Sequence, residues 1–165
     1  MQVQTSTPTT IISNHGYANV VLLKKNNEQA LVATSNYAKG AVIEKFTSGL
    51  VQNFATYLTV QIGENLHITL QPQHLQYINH SCNPNVFFNT DTFELVALKD
   101  IYINDELTFF YPSTEWQMTQ PFECNCGHNN CLQYIQGAAF INKNVLNNYR
   151  LTSFIQNMLQ QNEGN

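Results

Sequence analysis

Asn79-His80-Ser81-Cys82-Asn83-Pro84-Asn85, the string NHSCNPN, reads as a loop and not as an ordinary strand or turn. Pro84 has no N–H to give a ladder, and it pushes Asn83 toward extended geometry. The Asn and Ser side chains supply local bonds to backbone. Two later stretches answer to this loop. Glu106-Leu107-Thr108-Phe109-Phe110-Tyr111 reads as an apolar strand ending in a phenol, and Cys124-Asn125-Cys126-Gly127-His128-Asn129-Asn130-Cys131 holds the other three cysteines.

Outward from the loop, short strands dominate. Residues 17–23 and 29–34 form a hairpin around the turn Lys24 to Glu28, and 41–46 follow the Ala38-Lys39-Gly40 turn. Residues 57–62 and 66–70 alternate with period two, which puts His67 on the face opposite Leu66, Ile68 and Leu70 and predicts it exposed. Gln73 to Tyr77 reads as a helical turn, and 86–89 with 93–98 as another hairpin. Helix is expected only near the end, over Ala138 to Tyr149 and again from Ser153 as cap, with Phe154, Ile155, Met158 and Leu159 as its apolar stripe. Residues 1–10 are polar and Thr-rich, a frayed lead-in or an edge segment. The class is mostly β, of α+β type.

One domain is the natural reading of 165 residues, 43% hydrophobic and 12% aromatic. Net charge is −4 with no run of Lys or Arg, which argues against nucleic acid as a direct partner. The mild acidic surplus suits a basic, Lys-bearing peptide. No apolar run approaches the ~20 residues of a membrane span. The stretch MQVQTSTPTT lacks the basic and apolar regions of a signal peptide. A reducing compartment, the cytoplasm by default, is therefore expected; the nucleus or delivery into a host cell stays open.

The four cysteines fall as Cys82 plus C-x-C-x4-C at Cys124, Cys126 and Cys131. Four thiolates make a complete tetrahedral set for structural zinc, and Gly127 allows a sharp turn beside it. Buried free thiols or disulfides are the alternatives. His128, with four cysteines available, is expected to be exposed.

NHSC, the Glu106 to Tyr111 strand and the cysteine-rich tail together resemble the SET-domain family of lysine methyltransferases with its post-SET zinc tail. The resemblance runs from about Leu31 to Gly137 and includes the Lys39-Gly40 turn. It implies a β-clip-like fold of short strands in which the Tyr111 strand and the 79–85 loop form a pseudoknot. It implies a protein-lysine N-methyltransferase using S-adenosyl-L-methionine, with a protein or peptide substrate such as a histone. Tyr111 would be the catalytic tyrosine. Asn79 and His80, the backbone at Ala30 and Leu31, and Phe122 would contact the cofactor. Phe109 stands at the position that sets methylation degree, and phenylalanine there implies products beyond monomethyl. Trp116, like Phe122, is a pocket candidate, with plain packing as the alternative. Cys82, Cys124, Cys126 and Cys131 would be the zinc ligands.

Two departures are visible. The family's glycine-rich turn reads Glu28-Gln29-Ala30 here, and Phe110 replaces the usual Asp or Asn before the tyrosine. The expected organisation is a SET domain over 1–121, a post-SET tail over 122–137 and a C-terminal helical segment over 138–165. A catalytically weak, zinc-stabilised interaction module and an N-methyltransferase of small amines are the rival functions.

Overall fold

In the computed structural model, residues 10–162 are described. The expectation for the first ten residues therefore lies outside the described residues, save that Thr10 opens the first strand. Strands β1 (Thr10–Asn14), β2 (Ala18–Leu22) and β3 (Gln29–Ala33) form an antiparallel meander. The β2–β3 turn closes because Asn27 tolerates a positive φ of 61°. Strand β4 (Val42–Lys45) runs into β5 (Thr47–Gln52), which borders a sheet with β6 (Thr59–Gly63) and the central β7 (Leu66–Gln71). The expected helical turn, a 3-10 turn over Gln73–Tyr77, leads to β8 (Asn79–His80), so the first two residues of the expected loop are a short strand instead, because they pair with the central segment. Beyond the loop, β9 (Val86–Asn89) and β10 (Glu94–Ala97) make the second hairpin and pair on to β4. Phe93, at φ 56°, belongs to its turn and not to the strand.

Leu107 to Phe109 runs through the middle of the molecule. Leu107 N donates to Leu31 O, and β11 (Thr108–Phe109) pairs in parallel with β8. Asn85, at the far end of the loop, closes on the same segment. Its Nδ2 donates to Glu106 O, and its N to Thr108 O. The two ends of the NHSCNPN loop thus grip one short segment, which is the form the expected pseudoknot takes. Tyr111 does not end a strand: Pro112 cannot continue a ladder, so the chain turns at Tyr111 into a 3-10 turn, Tyr111–Ser113.

The tail folds as the two-residue pair of β12 (Phe122–Glu123) and β13 (Tyr134–Ile135). The helix expected over 138–149 is broken. A 3-10 turn at Ala138–Phe140 gives way to α1 (Lys143–Leu146), because non-helical Asn142 intervenes and its side chain caps Asn144 N at 2.9 Å. Phe140 consequently points out, 56% exposed. The last helix, α2 (Ser153–Asn162), is capped by Thr152, whose Oγ1 accepts from Ile155 N. Ser153 instead donates its hydroxyl to Asp91.

The main core gathers Leu31, Ile68, Leu75, Phe88, Leu95 and Leu107 between the sheets. A second core joins Phe110 to Leu146, Leu151 and Ile155 of the C-terminal segment. His67 corrects the expectation of an exposed residue. It is 6% exposed while Leu66 is 40% exposed. His67 and Ile68 point to opposite faces of β7 and both are buried, so this central strand is covered on both sides there, whereas Leu66 sits at the hairpin end. Burial lowers the His67 pKa, and its Nδ1 finds no partner among the described residues.

Candidate functional site

The parallel pairing of β8 with β11 brings Asn79, His80 and Tyr111 together. Asn79 Nδ2 donates to Gln29 O at 3.0 Å and to Glu106 Oε1 at 3.2 Å. His80 is a strut. Its Nδ1 accepts from Tyr111 N at 3.1 Å, which assigns the proton to Nε2, 3.4 Å from Cys82 Sγ. Burial brings its pKa down to about 4, so the ring is neutral. The Tyr111 hydroxyl donates to Ile78 O at 3.4 Å. Burial, reinforced by the Glu28 and Glu106 carboxylates, pushes that phenol up to about 12, and it keeps its proton at neutral pH.

Two cavities meet here. A polar cleft of about 820 Å³ is lined by Asn79, His80, Glu28, Glu106 and Lys99. An apolar pocket of about 430 Å³ is walled by Val60, Leu75, Phe109 and Met118. Asn79, Tyr111 and Phe122 line both. Phe109 packs its ring 4.6 Å from that of Tyr111.

The other expected site residues lie elsewhere. Ala30 and Leu31 are fully buried in β3 and line neither cavity. In their stretch of chain the turn residues Lys25, Asn26 and Glu28 face the cleft. Trp116 packs against the second core and lines neither cavity, because its N donates to Gln61 Oε1 and draws it across. Phe110, in place of the family's polar residue, stacks on Tyr149 at 3.7 Å and 7° and anchors the C-terminal segment.

Sequence reasoning missed Glu115, a carboxylate 7% exposed in the wall of the apolar pocket. It also passed over Lys25 to Glu28 as an ordinary turn. The signal available was position: Glu28 begins the stretch that replaces the glycine-rich turn.

The four cysteines converge. All are free, and their Sγ atoms lie within 4.8 Å of one another. Thiolates about 2.3 Å from one zinc ion would sit about 3.8 Å apart; Cys82 and Cys124 are separated by 3.9 Å. Leu132 N donates to Cys82 Sγ and Gln133 N to Cys131 Sγ, contacts that would stabilise metal-bound thiolates. Burial pushes the Cys82 thiol up to about 11, a cost that a bound dication reverses. The residues fit zinc in chemistry and spacing. His128 is exposed and outside the cluster.

A β architecture of small sheets, threaded by a central segment and opening into a polar cleft, places this protein in a known structural class. The SET domain family model matches residues 23–112, and the chain belongs to that family. Cys124, Cys126 and Cys131 lie beyond the matched residues. The chain is 43% identical over 122 residues to "Methyltransferase flvH" of Aspergillus flavus, covering 73% of this chain and 68% of that protein. Among solved structures, it is similar to KRYPTONITE in complex with mCHG DNA and SAH, with a TM-score of 0.55 at 22% identity. It is similar also to KRYPTONITE in complex with mCHH DNA, H3(1-15) peptide and SAH, with a TM-score of 0.53. Each match covers 70% of this chain but 28% of that one, and at this identity it speaks to fold. Both structures contain DNA, so they lend no support to the expectation of a protein without nucleic-acid contacts. No helix among the described residues is long and apolar enough to cross a membrane.

Proposed function

We propose that this protein transfers a methyl group from S-adenosyl-L-methionine to the ε-amine of a lysine in a protein substrate. The observation that carries the reading is the meeting of a polar cleft and an apolar pocket at one tyrosine. The named relative is a methyltransferase, and both KRYPTONITE structures hold SAH, one with a histone H3 peptide. Bound in the cleft, S-adenosylmethionine would supply an electrophilic sulfonium methyl.

The chain's own residues do the rest by positioning and desolvation. The cleft offers carboxylates, amides and Lys99 to a zwitterionic, heteroaromatic ligand, with Asn79 and His80 beside Phe122. The pocket strips water from the aliphatic stem of an alkyl amine, whose nitrogen attacks the methyl once its proton has been released to solvent. Tyr111, protonated, holds the acceptor nitrogen or the methyl at the junction through its oxygen. Phe109 presents no hydroxyl there, which leaves room for a second methyl. Cys82, Cys124, Cys126 and Cys131 would hold zinc, which keeps Phe122 against the cleft. On this reading residues 1–121 are the catalytic domain, 122–137 the metal-bound tail and 138–165 a helical brace.

The test is calorimetric titration of the parent and Tyr111→Phe with S-adenosylmethionine, then radiolabel transfer to lysine peptides, histones and a small-amine panel. Both proteins are expected to bind the donor, with transfer reduced on the order of 100-fold or more in the variant, as for loss of a positioned polar group. No binding at near-millimolar donor would sink the proposal. Mass spectrometry of the product is expected to show di- or trimethyl-lysine; a purely monomethyl product would refute the role given to Phe109.

A further inference from the structure

We propose that Glu115 recognises the cationic end of the methyl acceptor, binding an alkyl ammonium whose aliphatic stem fills the apolar pocket. This deepens the methyltransferase reading, resting on it only in taking that pocket as the acceptor's.

Glu115 is held firmly. Its Oε1 accepts from Gln61 N at 3.0 Å and from Thr114 Oγ1 at 3.2 Å. The link is returned, because Gln61 Oε1 accepts from Trp116 N at 3.0 Å. Glu115 N in turn donates to Tyr111 O, which joins it to the turn that carries the phenol. Both protein hydrogen bonds fall on Oε1, and Oε2 accepts none among the described residues.

The charge is what calls for a reason. A neutral glutamine would accept the same two hydrogen bonds without the cost of burying a carboxylate. The groups acting on the carboxyl are Gln61 and Thr114, and no cation of the protein is among them. The remaining titratable groups lining the pocket are the phenols of Tyr57, Tyr77 and Tyr111, so among the described residues Glu115 is its only carboxyl. The apolar part of the wall, with Val60, Leu75, Phe109 and Met118 among uncharged polar residues such as Thr59 and Gln76, suits a saturated chain. One carboxylate in such a wall suits an ammonium at the chain's end. Desolvation raises the carboxyl to about 7, so the incoming cation would also favour its ionised form.

The test uses the full chain purified with zinc, the parent beside Glu115→Gln, which keeps the acceptor oxygen and removes the charge. n-Butylammonium and n-butanol are titrated by ligand-observed NMR at about pH 8, with S-adenosylhomocysteine present and absent. The parent is expected to prefer the ammonium over the alcohol by about tenfold or more, and the variant to lose that preference while keeping its alcohol affinity. Equal ammonium affinity in parent and variant, or no ammonium binding to the parent, overturns the proposal. Should the variant not fold, the parent decides: ammonium affinity is expected to rise about tenfold between roughly pH 5.5 and 8.5, and a flat profile overturns the proposal. Failure of S-adenosylmethionine to bind would remove the methyl-transfer reading and leave this titration standing. Donor binding without ammonium preference would remove Glu115 alone.

Discussion

Glu115 also sets a signature in stability. Desolvation raises its carboxyl from 4.5 to about 7, so between those values the folded chain keeps a proton that the unfolded chain releases. Its contribution is therefore present below about pH 4.5 and is lost as pH rises through about 7, with an upper bound of about 3 kcal/mol. His80 acts with the opposite sign. Held neutral down to about 4, it weakens the fold as pH falls below the ordinary histidine value of 6.5. Comparing the parent with Glu115→Gln cancels the His80 effect, since both proteins contain it. The variant is expected to melt at a higher temperature than the parent at about pH 8, with the gap closing at about pH 5. Thermal denaturation at the two pH values measures this, and a gap independent of pH would mean the carboxyl is not desolvated. Tyr111 adds nothing in that window, because its phenol is pushed up to about 12.

The tail between Phe122 and Ile135 is the element least able to stand alone. Its ladder pairs Phe122 with Ile135 and Glu123 with Tyr134, and a pair this short is marginal without support. Cys82 supplies that support from the central loop. Its carbonyl accepts from Asn130 Nδ2 and Tyr149 Oη, and its sulfur meets the other three. At the tail's far end Gly137 is obligatory, since a Cβ there would meet Trp116 O at 2.5 Å. Metal analysis is expected to give about one zinc ion per chain. Stripping it, or Cys126→Ser, is expected to abolish amide protection over 122–135 while β2 and β3 keep theirs, and to weaken S-adenosylmethionine binding because Phe122 leaves the cleft. Hydrogen exchange with and without chelator checks this, and unchanged protection in metal-free protein would refute it. Three members of the cysteine cluster were legible because C-x-C-x4-C spacing is local, while Cys82, 42 positions before Cys124, was joined to them through the family resemblance. The break in the 138–149 helix was not, because an apolar period cannot tell that Asn142 will cap a new turn.

Across the whole molecule, what the sequence hid is what distant segments impose. NHSCNPN could be read as a loop since Pro84 and Ser81, whose Oγ accepts from Asn83 N, act on their own backbone, whereas Asn79 and Asn85 turn out to bond distant segments. Glu115 is held by Gln61, 54 positions away, and His67 is covered on a face that period-two alternation assigned to solvent. Phe110 looked like the loss of a polar support, yet it joins the central segment to the C-terminus through Tyr149. The C-terminal segment is accordingly a brace on the site. Thr152 N donates to Ser113 O next to the Tyr111 turn, Ser153 reaches Asp91, Tyr149 bonds Cys82 O at 2.7 Å, and Arg150 lies 4.5 Å over the Phe87 ring. Ile155 is fully buried in the core that contains Phe110. Ile155→Ala is therefore expected to cost about 2–5 kcal/mol and to lower the melting temperature of the whole chain by roughly 5–20 °C in one transition. Calorimetry separates this from an independent appendage. An appendage would leave the main transition in place and add a second, earlier one, and that outcome would show that the cleft and pocket stand without the helix behind them.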